Sequence, residues 1–187
     1  LFAQIDTSAN TVNFLDSALA DNVVISTSGA VSTTGAFTAN GTIKLDGNYP
    51  TGTNNVALGD TALDSLTSGN ENTAIGFAAL TANTEGTNTS ASGNSALGYR
   101  TLCVNITGAD NTAMGRQALR NNETGDNNVA VGRNAMEANT TADNNTAVGF
   151  ESLKANTTGT PNTAFGNKAL ISNTTASNNT AVGNQAL

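Results

Sequence analysis

The residues best placed to do chemistry in this chain are two acid–amide clusters 17 residues apart, Asp126-Asn-Asn128 and Asp143-Asn-Asn145. Carboxylate and amide oxygens of this kind ligate calcium. A calcium-binding repeat needs a glycine-rich nonapeptide, which the chain lacks, so the clusters read more simply as turn formers. The chain has no His. That removes Ser-His and Cys-His nucleophile pairs and any His-bearing metal site. The single Cys103 takes the place that Asp64, Thr81 or Arg120 holds in other copies of the repeat described below, and reads as a neutral substitution. One cysteine forms no internal disulfide. No two carboxylates recur as the pair a glycosidase needs. No catalytic, cofactor-binding or metal-binding residue is assigned, and the chain reads as a non-enzyme.

Two further motifs have a structural and a functional reading. Asn139-Thr-Thr, Asn156-Thr-Thr and Asn173-Thr-Thr match the glycosylation acceptor pattern. Their return at one phase of the repeat is explained by corners. Phe77, Tyr99 and Phe150 also share a phase. They could stack on a glycan or pack at a subunit interface, and the absence of Trp favours the interface.

The element that must position all of these is a repeat. Its phrase opens at Asn55, Asn72, Asn94, Asn111, Asn128, Asn145, Asn162 and Asn179, in steps of 17 residues with one step of 22. A fixed period signals a quasi-one-dimensional repeat architecture. Numbered from the opening Asn, position 3 is always Ala and position 5 always Gly. Position 4 is always a large apolar residue, from Leu58 to Val182, and position 9 is Leu except for Met136. Position 12 is Asn except for Leu66 in the first copy.

This pattern predicts a β-solenoid of 17-residue coils. Positions 4 and 9 are expected to supply one bulky apolar side chain to each flank of a coil. The invariant Ala and Gly mark close approach by a neighbouring coil. Asn at positions 1 and 12 is expected at corners, in the left-handed region and bonded to local backbone. Stacked coils also set Asn above Asn in an amide ladder. The coil divides into three short segments. The segment Phe150–Asn156 reads as strand in preference to a single helical turn, which is marginal alone. The 22-residue step predicts a bulge or loop, because Thr89–Gly93 already sits in phase before Asn94 repeats it.

Charges test the stacking. Position 10 runs Arg120, Glu137, Lys154, and position 7 sets Glu151 one coil before Lys168. If each coil sits on its predecessor, strands lie about 4.8 Å apart and these signs attract. Arg116 and Arg133, at position 6, are like charges and must splay. The balance favours one chain coiling on itself over interwound chains.

Three regions follow: a connector over 1–22, a glycine-spaced β shaft over 23–52, and the repeat over 53–187, its last copy incomplete. In the connector, Phe14, Leu15, Ala18 and Leu19 suggest one or two helical turns. In the shaft, Gly29, Gly35, Gly41 and Gly47 fall six residues apart between short alternating segments. The formal charge of −7 argues against nucleic acid and against docking on an anionic membrane. No run of 18 apolar residues exists. Leu1 is not a start methionine, and both ends are expected to belong to a longer chain or to have been trimmed.

The phrase Asn-Thr-Ala-Val-Gly-x-x-Ala-Leu-x-x-Asn-Thr-Thr-Gly, as in Asn145 to Gly159, resembles repeats of phage tail fibres and related virion appendages. More loosely it is similar to the head repeats of trimeric autotransporter adhesins. The resemblance covers residues 23–187 and implies an all-β, fibrous, parallel homotrimer on a virion or cell surface. Its implied partners are itself, adjoining fibre or baseplate proteins, and a host glycan or protein reached through a distal tip. The expected function is a structural fibre segment presenting a receptor-binding module. The alternatives are an adhesin whose repeat face binds a surface directly and an ice-binding solenoid. The adjacent pairs Thr140-Thr141, Thr157-Thr158 and Thr174-Thr175 count against ice, which needs alternating threonines.

Overall fold

The structure, a computed structural model, describes residues 2–6, 11–15, 54–66, 69–82 and 92–187. The chain divides into two compact units, Leu1–Ile43 and Lys44–Leu187. In the first unit β1 (Phe2–Asp6) and β2 (Thr11–Leu15) pair antiparallel. Phe14 and Leu15 therefore lie in a strand and not in the expected helical turn, while Ala18 and Leu19 lie outside the described residues. The register sets Phe2 opposite Leu15, Ala3 opposite Phe14 and Ile5 opposite Val12, with Gln4 opposite Asn13. The register thus pairs apolar positions with apolar positions, a match between segments that no local propensity contains. The glycine-spaced stretch 23–52 is likewise outside the described residues.

The second unit is a parallel β-solenoid, with no helix among the described residues. Its strands are β3 (Val56–Leu58), β4 (Thr73–Ile75), β5 (Ser95–Leu97), β6 (Thr112–Met114), β7 (Val129–Val131), β8 (Thr146–Val148), β9 (Asn162–Phe165) and β10 (Asn179–Val182). They form one sheet in sequence order. Every pairing is parallel and in phase, Ala57 against Ala74 at one end and Ala164 against Ala181 at the other. One chain coils on itself, one turn per repeat. The phase survives the 22-residue step, where Ala74 pairs with Ala96. The segment opened by Asn94 takes the strand slot; residues 83–91, where the bulge was expected, lie outside the described residues.

Each coil holds one strand and not three. The Ala-Leu segment, Phe150–Asn156 included, is neither strand nor helix but a run of turns. Its cause is a left-handed backbone at every second residue. In the coil of Asn111, φ is 124° at Gly115, 60° at Gln117 and 48° at Leu119, and the other coils repeat this at positions 5, 7 and 9. An L-residue there costs about 1–2 kcal/mol. Inter-coil bonding offsets it. The amides of positions 5 and 7 donate backwards, Gly115 to the Leu97 carbonyl and Gln117 to that of Tyr99. Those of positions 9 and 11 donate forwards, Leu119 to the Ala135 carbonyl and Asn121 to that of Glu137.

The core is thin. Ala at positions 3 and 8 and Leu or Met at position 9 point inward, with Leu63, Leu80, Leu102, Leu119, Met136 and Leu153 fully buried. Position 4 does not join them, which corrects the expectation. Leu58, Leu97, Met114, Phe165 and Val182 are 44–70% exposed. Strand alternation forces the choice. Position 3 and position 4 face opposite ways, and position 3, always Ala, takes the inward side.

The amide ladder forms as expected, but its residues are not left-handed corners. At position 1 the left-handed corner is the residue before the Asn, as in Asn127 at φ 57° and Asn144 at φ 58°. Asn at positions 1 and 12 is instead buried. In the first ladder Asn128 Oδ1 accepts the Asn145 amide at 3.0 Å, and the Asn128 amide donates to Asn111 Oδ1 at 2.9 Å. In the second, Asn139 Nδ2 donates to Asn122 Oδ1 at 2.7 Å. The position-15 carbonyl joins the two within a coil: the Ala142 oxygen accepts from Asn128 Nδ2 at 2.8 Å and from Asn139 Nδ2 at 3.0 Å. In the first copy Leu66 replaces the position-12 Asn and fills the same interior space with carbon.

Two outcomes are expected. Asn128→Ala leaves the buried Asn145 amide without its acceptor and lowers stability by about 3 kcal/mol in urea unfolding. Gly115→Ala sets a methyl 2.7 Å from the Gly132 oxygen on a backbone with φ 124°. It should cost about 3 kcal/mol in the same measurement.

Candidate functional site

The residues singled out for chemistry are absorbed by the coil. Asp126 Oδ1 accepts the Ala109 amide at 2.7 Å, and Asp143 Oδ1 accepts the Asp126 amide at 2.8 Å. These carboxylates bond the backbone of the preceding coil. Among the described residues no group of three or more His, Cys, Asp or Glu could hold a metal ion. Cys103 is half-buried, its Sγ 3.9 Å from the Arg120 carbonyl oxygen. Asn139 and Asn156 are fully buried in their ladder, which leaves no room for a glycan on the folded coil. Thr140 and Thr157 hydroxyls donate to the Thr157 and Thr174 carbonyls, so the paired threonines also join coils.

One lateral surface is charged. Glu137 lies 3.8 Å from Arg120 and 3.9 Å from Lys154, each one coil away. Glu151 pairs with Lys154 at 2.9 Å in its own coil and with Lys168 at 3.9 Å in the next. The alternation across coils expected from sequence is present. Each such solvent-screened pair contributes little to stability. The like charges Arg116 and Arg133 lean apart. Arg116 sits 5.7 Å over the Tyr99 ring on the preceding coil, and Arg133 sits 5.6 Å over Phe150 on the following one. The three aromatics at this phase do not form one stack: Phe77 and Tyr99 stack at 5.4 Å, and Phe150 lies three coils on.

The outward face of the sheet is the surface that remains. Position 4 forms an apolar file along it. Position 2 forms a second file, mostly Thr, with Ser95, Thr112, Thr163 and Thr180 exposed. Neither file contains a charged residue from β3 to β10. Together the two files make a contiguous uncharged strip with polar flanks. The sequence carried one signal for it. Position 3 never varies, whereas position 4 ranges from Val to Phe, a spread of volume that a tightly packed interior does not tolerate.

Among the described residues no helix is long and apolar enough to cross a membrane. No protein-family model, curated protein or solved structure matches the chain.

The Glu151 carboxyl is held below its ordinary value of 4.5, first by the hydrogen bond from Lys154. Desolvation opposes this, and the charges of Lys154, Lys168 and Arg133 add to it. A depressed carboxylate stabilises the fold above its unfolded value, and that contribution fades as pH falls through the lower folded value. NMR titration is expected to place Glu151 below 4.5, and Lys154→Ala to move it upward.

Proposed function

We propose that this chain is a structural segment of a fibre, of the kind found in viral tail fibres and similar surface appendages. It extends and presents a receptor-binding module for host attachment, works as a homotrimer, and carries out no catalysis. One observation supports this above others. Each coil passes its backbone and Asn-amide hydrogen bonds to the next in the same phase, Asn111 to Asn128 to Asn145 to Asn162. Adding coils lengthens the unit and changes nothing else. Such a unit supplies reach, stiffness and resistance to proteases, because cleavage needs a coil to open and each coil is held from both sides.

A second reading has its own support. The threonines of position 2 lie outward on a regular sheet face, which could bind a surface directly, in a trimeric adhesin or, on a single chain, as an ice-binding face. The neighbouring file argues against ice: Met114, Val148 and Phe165 differ too much in size to form a flat lattice.

Light scattering separates these readings. A mass of three chains is expected, and a lone chain with thermal hysteresis would overturn the fibre reading in favour of an ice-binding face. Antibodies raised against residues 92–187 are expected to decorate a thin projection on the virion or cell that carries the chain. Label confined to the cytosol would overturn the proposal.

A further inference from the structure

We infer that the outward face of the sheet is where copies of this chain meet, related by rotation about an axis parallel to the solenoid and outside it, with equal coils at equal height. The inference rests on the parallel homotrimer proposed above and adds its face and register. Three observations carry it.

The first is size. Eight strands of three or four residues give a face about 38 Å tall and about 10–13 Å wide, roughly 400–500 Å² per chain. Three such faces meeting in a trimer bury roughly 1,200–1,500 Å² in all, the lower part of the range of specific interfaces. The face is apolar and uncharged along positions 2 and 4, as the interior of an interface should be.

The second is period. The face repeats once per strand spacing, with side chains in register from Leu58 to Val182. A partner with any other spacing drifts out of register within a few coils. A further copy of this chain does not.

The third is charge on the two flanks. Arg116 and Arg133 follow β6 and β7 on one flank and are exposed. On the other flank of the first of these coils lies an exposed acid, Asp110, just before β6. Rotation about an axis parallel to the solenoid sets the leading flank of one sheet against the trailing flank of its neighbour, so Arg116 meets Asp110 at one level. Inverting a copy would set arginine flank against arginine flank. The charges therefore select the parallel arrangement.

The test uses the full chain and light scattering, with circular dichroism to confirm that each variant is folded. Met114→Asp changes a side chain that is 47% exposed, so the coil keeps its fold while the face gains a charge. It should reduce the oligomer to single chains. Arg116→Asp and Asp110→Arg should each weaken association about tenfold or more, by placing like charges together. The double variant should restore it. An oligomer indifferent to all of these overturns the proposed face while leaving the homotrimer intact. An oligomer broken by Met114→Asp but not rescued by the charge exchange overturns the parallel register. A wild-type chain that is monomeric at all concentrations removes the homotrimer itself, and this interface with it.

Discussion

The structure depends on satisfying polar groups inside a core too thin to exclude them. A 17-residue coil cannot close around a broad hydrocarbon interior, so amides and carbonyls of the chain end up buried. Asn at positions 1 and 12 solves this with one side chain type, since an amide both donates and accepts. Its oxygen takes a backbone or side-chain N–H of the adjacent coil, and its nitrogen reaches a carbonyl of its own coil. Each Asn is complete only when a neighbouring coil is in place, so an isolated coil is a poor structure and a stack is a good one.

The remaining regularities follow from that stacking distance. Gly at position 5 faces the next Gly carbonyl at a separation that leaves no space for a β-carbon. The left-handed residues at positions 7 and 9 are tolerated because the same geometry turns their amides towards a neighbouring coil and drives Leu into the core. Strain in each coil and bonding between coils are therefore two aspects of one arrangement. What the coil cannot absorb is the alternate side of its only strand. That leaves apolar side chains on the outside, and explains how a chain poor in hydrophobic residues still displays an apolar face.

Much of this was legible in the residues. Periodicity specified the coil, its self-stacking and its Asn ladders, because those depend on identity recurring at a fixed spacing. The ionic alternation of Arg120, Glu137 and Lys154 pointed the same way. Three features were not legible. Leu119 at φ 48° contradicts every propensity for leucine, and only inter-coil bonding makes it acceptable. Phe14 and Leu15 take their strand from a partner segment nearer the N-terminus. The direction of position 4 turned on whether Ala or its large neighbour occupies the core, and hydrophobicity alone gave the wrong answer. The constancy of Ala against the variability of position 4 held the information.

The 22-residue step bears on how such a chain changes over generations. β5 stacks on β4 in phase although five additional residues separate them. Register is thus set by the strand and the Asn that opens it, and is indifferent to the path length between. Whole coils could be gained or lost by recombination between near-identical gene segments, since each new junction would reproduce an existing one. Short insertions away from the strand would pass in the same way. Length in this architecture is free to vary, while the phase of an Asn, an Ala and a Gly is not.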